Sequence, residues 1–428
     1  TALVAAQEEP APAAPTPAVP VYPPGWNVAL NPGFEDGGNA PADWDKFAWA
    51  GTAKFRWDAN VSHEGGRSAK IVLDTADDAR WTQTVGVMEN TDYVLSGWIK
   101  TQNVAHTGET VDAGANLSVE SDIPGDGYYT RTPALLGTND WTYVSVVFNT
   151  GWNTEIQIDA RLGMFVGTTT GTAWFDDIRL VPLRRLYISS SQGGTVAGIP
   201  FAPGDILSFT PDTGEWAMYF DASDVGLKRN VAAFAFTEEG YILMSLSAAE
   251  NVPGAGYVRP QDVVQFAATS TGPDTAGTFS RFLDGRAVGL SKAGEKIDAL
   301  TWGSGWTMDI STTGAMDVKL WDDTPLKARD EDMTQAWMYY GYFDGWETMT
   351  FDGSAMPGLA AEDVTAAYFD AWSWTWFLTI QGGGTINGHA YTQKDIFMVQ
   401  DGVLLGRYWN GPANGFNYPI DGIDITEW

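Results

Sequence analysis

The chain of 428 residues contains no cysteine, which excludes disulfide bonds and thiolate chemistry. Basic residues are scarce: 24 Lys and Arg stand against 54 Asp and Glu, giving a formal net charge of −30. Nucleic-acid binding requires a basic surface and anionic membranes attract basic segments, so this charge argues against both partners. No apolar run approaches the ~20 residues that a membrane-spanning helix needs. The sequence predicts neither a membrane span nor a nucleic-acid partner.

Recognisable catalytic motifs are also lacking. The three histidines, His63, His106 and His389, are isolated in the sequence. There is no His-Glu-x-x-His motif, no Gly-x-Ser-x-Gly motif and no phosphate-binding loop. Pairs of Asp and Glu are numerous, so glycosidase carboxylates are not excluded by counting, but nothing distinguishes one pair. We predict that the protein is not an enzyme.

Glycine and aromatic residues are abundant. The 48 Gly residues suit a chain of short strands and many turns, which favours an all-β protein. A hydrophobic content of 44% is enough for large cores. With 20 Trp, the chain has many rings that can contact sugar or protein, although most rings in such a protein fill cores.

A short turn recurs four times in the C-terminal part, with a period of about 60 residues that is typical of stacked or radial β-sheets. The Asp and Gly of the turn are expected to supply a tight loop. The turns are Tyr219–Ala222, Phe282–Gly285, Thr350–Gly353 and Tyr408–Gly411, and the small apolar strands that follow them begin at Val231, Ile297, Val364 and Ile420.

Four strands per repeat account for residues 184–428. Three complete units leave three strands at the start of this region and one at its end, and joining them completes a fourth unit. We predict a four-bladed β-propeller closed by pairing of its N- and C-terminal strands, with a β-solenoid as the alternative. The region resembles the few-bladed β-propeller repeats of bacterial surface proteins.

Residues 25–183 form a first predicted domain, in which short strands alternate polar and apolar residues between turn signals. This pattern indicates a β-sandwich or jelly roll. Residues 1–24 precede it as a Pro/Ala-rich extended tail, of which 1–6 read as the remnant of a signal peptide. The tail is either a solvated spacer or a docking segment. We predict docking on another subunit or a second copy of the chain.

Five segments of the first domain, in order and spacing, resemble carbohydrate-binding modules of the family 4, 9 and 22 type. The resemblance implies a β-jelly roll that binds glycan chains and often carries a structural calcium ion. The segments are Leu30–Gly38, Ser62–Ile71, Tyr93–Lys100, Asn139–Trp141 and Trp174–Leu180. Long loops at 101–110 and 121–132 depart from the family and put the cleft in doubt.

The resemblance places a structural Ca²⁺ between an N-terminal acid and the last strand. Glu35 matches the first position, and Asp176 or Asp177 matches the second. Strand alternation favours Asp176, because it shares a face with Ile178 and an inward carboxylate needs a partner. The alternative is that Glu35 caps a turn and Asp176 accepts main-chain hydrogen bonds.

Sugar binding needs an aromatic face for the pyranose ring and polar groups for its hydroxyls. By position in the family pattern, Trp81 is the first candidate, followed by Tyr128 and Tyr129 and then Trp98. Gln83, with Asn116 and Glu120, supplies the polar groups. For each ring, core packing or an interface is the alternative.

Nine rings crowd the third repeat, and some are expected at a protein contact because Trp and Tyr dominate such surfaces. We predict partner contacts at Trp337, Tyr340, Trp346 and Trp374. Acidic runs at 322–323 and 330–332 lack the spacing of a calcium loop and are interpreted as solvated turns.

These observations favour a non-catalytic, secreted or cell-surface protein. The leading hypothesis is a structural subunit or decorating protein of a surface filament or layer. A secreted glycan-binding adhesin, with polysaccharide as its partner, is the alternative. A glycoside-active enzyme, with two carboxylates about 5–10 Å apart in the propeller mouth, ranks third.

Overall fold

The computed structural model describes residues 26–106, 113–125, 127–164, 169–211, 213–303, 305–339 and 341–426. The predicted tail 1–24 and Tyr340 lie outside these residues, as does the side chain of Tyr129. The described chain is all-β and forms two compact units. The first comprises 26–185 together with 371–374 and 425–426, and the second comprises 186–370 and 375–424. No helix among the described residues is long and apolar enough to cross a membrane.

The first unit consists of two antiparallel sheets in a jelly-roll-like arrangement. The four-stranded sheet has the order β1-β4-β8-β6, and the five-stranded sheet has the order β2-β3-β9-β5-β7. A short 3-10 turn, Gly127–Tyr129, lies between β6 and β7. The strands are β1 Asp45–Ala48, β2 Lys54–Asp58, β3 Ser68–Asp77, β4 Ala79–Gly86, β5 Asp92–His106, β6 Gly114–Val119, β7 Gly137–Asn149, β8 Glu155–Gly163 and β9 Thr169–Pro182.

The core of the first unit lies between its two sheets. Strands β4 and β8 supply Trp81 and Ile158 from one sheet, and β3 and β5 supply Leu73 and Leu95 from the other. These residues alternate with outward-facing ones, because successive side chains of a strand point to opposite faces. Each sheet therefore has one buried face and one outer face.

The second unit contains four main sheets of four antiparallel strands each. A two-stranded hairpin is inserted between the second and third strand of every main sheet. The main orders are β14-β13-β10-β33, β15-β16-β19-β20, β21-β22-β25-β26 and β27-β28-β31-β32, and the hairpins are β11-β12, β17-β18, β23-β24 and β29-β30.

The strands of the second unit are short, as its glycine content favours. Three 3-10 turns connect some of them: Gly353–Ala355, Leu359–Ala361 and Pro412–Asn414. The strands are β10 Arg185–Ser189, β11 Gly194–Val196, β12 Ile199–Phe201, β13 Ile206–Thr210, β14 Glu215–Phe220, β15 Val231–Phe236, β16 Ile242–Leu246, β17 Glu250–Val252, β18 Gly256–Val258, β19 Val263–Ser270, β20 Ala276–Leu283, β21 Ile297–Gly303, β22 Thr307–Thr312, β23 Met316–Lys319, β24 Pro325–Ala328, β25 Met333–Tyr339, β26 Tyr342–Phe351, β27 Val364–Asp370, β28 Thr375–Ile380, β29 Gly383–Ile386, β30 His389–Thr392, β31 Asp395–Gln400, β32 Val403–Asn410 and β33 Gly422–Thr426.

One main sheet joins the two ends of the second unit. Its strands β10, β13 and β14 come from the start of the unit, and β33 comes from its end. The backbone N–H of Asp421 donates to the carbonyl of Ser189 at 3.0 Å, just before the pairing begins. The strand that is missing from the first repeat is thus supplied by the last residues of the unit.

A buried aspartate recurs at the start of the third strand of each repeat. In the second repeat, Asp262 accepts hydrogen bonds from the backbone N–H of Arg259 at 2.9 Å and of Gly285 at 3.0 Å. Gly285 belongs to the repeated turn, so the aspartate fixes this turn to the third strand. The equivalent residues are Asp205, Asp332 and Asp395. They accept hydrogen bonds from the backbone N–H of Ala222, the backbone N–H of Gly353 and the side-chain amide of Asn410, in that order.

The turn needs a glycine because its backbone packs directly against the residue that precedes the buried aspartate. A Cβ at Gly285 would lie 2.1 Å from the carbonyl oxygen of Gln261. The Asp of the turn has a local role, since Asp284 accepts from the N–H of Arg286 at 3.1 Å. The repeated turn is therefore a structural feature that holds each repeat together.

Candidate functional site

Strand alternation divides β4 between the core and the outer face of the four-stranded sheet. Trp81 is 0% exposed and Gln83 is buried, with its amide bonded to the backbone N–H and carbonyl of Leu30. The prediction that Trp81 and Gln83 bind glycan is wrong, because both point into the core. Their neighbours Arg80 and Thr82 point outward instead.

Strand register places polar side chains in rows across this outer face. One row runs through Phe47, Arg80, Arg161 and Asn116, in strand order β1, β4, β8 and β6. The next row runs through Asp45, Thr82, Asp159 and Ser118. Exposure falls from β1 towards β6, so the outer face is open to solvent on its β1–β4 side.

The middle of the outer face carries a network of ion pairs. Glu120 accepts from Arg80 and from Arg161, each at 2.9 Å. Arg161 also binds Asp78, with Nε 2.8 Å from Oδ1. Asp159 lies 3.6 Å from Arg80. Charged groups packed this closely hold one another in fixed positions, which suits a binding surface that must present defined donors and acceptors.

One hydroxyl of this network lacks a hydrogen-bond partner. Among the residues that the structure describes, the Ser118 hydroxyl is buried without one, whereas the Thr82 hydroxyl bonds Asp159. Burial raises the pKa of Asp159 to about 6, although the nearby Arg80 and the bond from Thr82 oppose the shift. Buried polar groups normally find partners, so the Ser118 hydroxyl has capacity for a further hydrogen bond.

Exposed aromatic rings flank the polar rows on the β1 side. Phe47 is 39% exposed, and the Arg80 guanidinium lies 4.4 Å from the centre of its ring. Trp49 follows on the turn after β1 and is also exposed. An aromatic face next to fixed polar groups is the combination that recognises a pyranose. Gln157 of β8 lies in the row after that of Asp159 and donates to Oδ1 of Asp159 at 3.1 Å. We call Phe47, Arg80, Thr82, Glu120 and Gln157 the outer-face site.

The other predicted sugar contacts lie elsewhere or serve the fold. Trp98 is half-buried on β5 of the five-stranded sheet, where its ring stacks on His63 with centroids 4.0 Å apart. Tyr128 is exposed on its 3-10 turn, and its role stays a prediction. Asn116 is buried, and its amide group donates to the carbonyls of Gly114 and Gly163. Sequence reasoning missed Phe47 and Arg80, which no local motif marks.

Three carboxylates gather around Gly33 at the other predicted site. A Cβ at Gly33 would lie 3.7 Å from Oδ1 of Asp177, 3.8 Å from Cγ of Glu35 and 3.9 Å from Oδ1 of Asp176. Glu35 accepts from the N–H of Gly66 at 2.8 Å. Asp176 accepts from the N–H of His63 at 2.7 Å. Main-chain hydrogen bonding, the alternative function of these carboxylates, is therefore present.

A calcium ion at these residues stays a prediction. Asp176 is fully buried, and this burial, reinforced by the neighbouring charge of Asp177, raises its pKa to about 7 despite the backbone donors. Carboxylate oxygens are the ligands that Ca²⁺ prefers, but the acidic and histidine donor atoms of the described chain that lie within 4.8 Å of one another include neither Glu35 nor Asp176. His63, with Nδ1 2.6 Å from Asp177, and Glu64 bring further donor atoms close by.

The aromatic residues predicted as partner contacts divide into exposed and buried ones. Trp337 and Trp374 are exposed, and their role stays a prediction. Trp346 is 2% exposed and its indole N–H donates to the carbonyl of Val288 at 2.8 Å, so the prediction for Trp346 is wrong. The prediction rested on the crowding of aromatic residues in the third repeat, which does not distinguish a buried ring from an exposed one.

Exposed rings do gather at one edge of the third main sheet. Trp337 pairs with Gly345, and a Cβ at Gly345 would lie 3.2 Å from Cβ of Trp321. Tyr339 and Tyr342 pair at the end of the same hairpin. Trp321, Trp337, Tyr339 and Tyr342, all exposed, are called the aromatic edge.

No protein-family profile matches the chain, and no curated protein matches it. Among solved structures, it is similar to TmCBM61 in complex with β-1,4-galactotriose, at 20% identity and a TM-score of 0.27 over 36% of this chain and 98% of that one. It is similar to the CBM22-1 xylan-binding domain of Paenibacillus barcinonensis Xyn10C, at 16% identity and a TM-score of 0.25 over 35% and 90%. A CBM4 structure matches at 19% identity and a TM-score of 0.25 over 36% and 98%. These neighbours are carbohydrate-binding modules, and at these values the likeness assigns no ligand to this chain.

Proposed function

We propose that the protein is a non-catalytic, secreted glycan-binding protein that holds a polysaccharide chain on the outer-face site of its first unit. The observation that carries the proposal is the exposed ring of Phe47 beside the fixed network of Arg80 and Glu120. A pyranose stacked on Phe47 would place its hydroxyls over donors and acceptors that the ion pairs already hold in position.

The supporting chemistry is specific to a neutral polar ligand. Arg80 and Glu120 neutralise each other, so the site offers hydrogen bonds without a large net charge of its own. The open part of the outer face lies on β1 and β4, two strands about 4.8 Å apart, so one or two sugar units of a polysaccharide would contact the site.

The test is binding of the full chain to an array of polysaccharides, followed by calorimetry with the best ligand. Phe47→Ala should weaken binding about tenfold, since a stacked ring contributes about 1–1.5 kcal/mol. Val147→Ala is the matched control, because Val147 is an exposed apolar residue of β7 on the other sheet. Equal affinities of Phe47→Ala, Val147→Ala and wild type would refute the site.

A second function, assembly with other copies or subunits at a surface filament or layer, is favoured by the aromatic edge. Four exposed rings at one sheet edge resemble the hot spots of protein contacts. Residues 7–24, rich in Pro and Ala, favour polyproline-type chain, which aromatic surfaces bind at low entropic cost. We propose that the tail of one copy docks on the aromatic edge of another.

Light scattering of the full chain and of a variant lacking residues 1–24 tests assembly. The proposal predicts a larger particle that the deletion and the double substitution Trp321→Ala/Tyr342→Ala both dissociate. Trp152→Ala, which changes an exposed Trp of the first unit, should leave the particle unchanged. A monodisperse monomer in every case, or assembly without the tail, would refute docking.

Three further parts of the proposal concern architecture, metal and catalysis. The four main sheets are proposed to be the blades of a four-bladed propeller, supported by the sheet that joins β10 with β33. Ca²⁺ is proposed at Glu35, Asp176 and Asp177 as a structural ion, supported by the approach of the three side chains to Gly33 and by the donor atoms of His63 and Glu64 beside Asp177. The absence of catalysis would be refuted by release of reducing ends from a bound glycan.

A further inference from the structure

Three strands of the second unit carry the same irregularity. In β15, β21 and β27, one extra residue interrupts the register with the neighbouring strand. The extra residues are Ala232, Asp298 and Thr365, and all three line a single cavity of about 290 Å³. Asp421, at the corresponding place before β33, lines it too. Bulges re-aim a side chain, and here they turn the same position of each repeat towards one space.

The cavity, called the Asp298 cavity, is lined mainly by polar residues. Asn230 donates from its amide to Oδ2 of Asp421 at 2.5 Å, while its own Oδ1 is buried without a hydrogen-bond partner among the described residues. Gln381 and Gln393 also line the space. Its walls therefore offer many oxygen acceptors to a ligand that donates hydrogen bonds.

Asp298 is the most buried acid of the cavity lining. It is 6% exposed, and its side-chain partner is the carboxyl group of Asp363, with which it shares a hydrogen bond. A second carboxyl group, that of Asp330, repels both acids when ionised. Burial and the charge of Asp363 raise the pKa of Asp298 well above its usual value, and burial with Asp330 raises that of Asp363 to about 6. Two acids buried side by side cost folding stability when they ionise, and such groups are characteristic of ligand sites.

We propose that the Asp298 cavity binds a small primary amine, whose ammonium group donates to Asp298 and reaches the acceptors of Asp421 and Asn230. An ammonium ion carries three donors and no acceptor, which matches walls with excess acceptor capacity. The cavity is close to the lower limit of ~300 Å³ for small-molecule sites, and it exceeds the space of a bare ion.

A metal ion fits the cavity less well than an amine. Among the described residues, only His63, Glu64 and Asp177 of the first unit bring three acidic or histidine donor atoms within 4.8 Å of one another. The acids of the Asp298 cavity do not form such a cluster. The amine is therefore the ligand class that the arrangement of oxygen atoms favours.

Binding is expected to depend on pH. The titratable groups that face Asp298 are Asp363 and Asp330 from the neighbouring chain segments, and Asp421 and Lys296 share the cavity lining. At low pH, Asp298 and Asp363 are protonated. These protons must be released to solvent before the carboxylates can form an ion pair with an ammonium group. Affinity for the amine should therefore rise with pH as Asp363, whose pKa burial and Asp330 raise to about 6, and then Asp298 lose their protons.

Calorimetry of the full chain with putrescine tests the proposal. Binding is expected at pH 8 and should be at least tenfold weaker at pH 5. Asp298→Ala should fold, because Ala232 occupies the same bulge in another repeat, and should lose binding at least tenfold. Its melting temperature at pH 8 should equal or exceed that of wild type, since one of two acids buried side by side is removed. Asp401→Asn, at an exposed turn, is the charge-matched control and should bind as wild type does.

Three results would overturn the proposal. The first is no binding of putrescine at pH 8 up to about 10 mM, the concentration range of weak small-ligand sites. The second is equal loss of affinity in Asp298→Ala and Asp401→Asn, which would show that the net charge of the chain alone attracts the amine. The third is displacement of putrescine by CaCl₂ in wild type but not in Asp298→Ala, which would make the cavity a metal site.

Discussion

Removal of the buried aspartate that recurs in the second unit should destabilise the fold strongly. Asp262 is fully buried and accepts two backbone hydrogen bonds, from Arg259 and Gly285, and a third from Arg281 at 3.2 Å. Hydrogen bonds to a charged group contribute about 1.5–3 kcal/mol each, so loss of the two backbone bonds in Asp262→Ala should cost about 3–6 kcal/mol. For a unit of this size, that corresponds to a melting temperature lower by on the order of 10 °C.

The neighbouring Asp284 is the matched control for this prediction. Its side chain is 43% exposed and accepts a single local backbone bond, from Arg286. Asp284→Ala should therefore change the free energy of unfolding by less than about 1 kcal/mol. Guanidinium chloride unfolding, followed by tryptophan fluorescence, measures both variants. Equal stabilities of Asp262→Ala and Asp284→Ala would refute the assigned role of the recurring aspartate.

Three other predictions concern stability. Trp346→Ala should lower the free energy of unfolding by about 3–5 kcal/mol, because it removes a fully buried ring. Trp321 is exposed on the aromatic edge, so Trp321→Ala should change thermal stability little. Similar melting temperatures of the two variants would contradict the burial assigned to Trp346. Burial raises the pKa of Asp309 to about 6, so wild type loses stability as pH rises from 4 to 7 and this buried acid ionises. Over that range the free energy of unfolding of Asp309→Asn should rise by about 2–3 kcal/mol relative to wild type, as measured by denaturation at each pH. A difference that does not depend on pH would contradict this. Addition of CaCl₂ should raise the melting temperature of wild type but not of Asp176→Asn in scanning calorimetry, and an equal rise in both would place the ion elsewhere.

The repeat architecture was largely readable from the sequence, because local signals recur in it. The turn Phe282–Gly285 and the strands beside it follow ordinary turn and strand chemistry. The start of the third strand carries the same acid in every repeat, at Asp205, Asp262, Asp332 and Asp395, so this signal was present in the sequence. Its role was not predicted, since the partners of each acid include the turn about 20 residues further along the chain.

The binding surface was less predictable. In β4, the run Ala79, Trp81 and Val85 marks the core face by alternation alone, and Trp81 was assigned to sugar by resemblance against that pattern. Arg80, Glu120 and Arg161 are far apart in sequence and meet only through the register of three strands. Trp346 shows the other limit, because a crowd of aromatic residues in the sequence does not show which rings the fold buries.

The central claim is that the outer-face site holds a glycan, and a crystal structure with an oligosaccharide selected on the polysaccharide array tests it most directly. The account predicts a pyranose ring stacked on Phe47, with hydroxyls within hydrogen-bond distance of Arg80, Glu120 or Gln157. A sugar bound on the five-stranded sheet, at Trp98 or elsewhere, with the outer-face site empty, would contradict it.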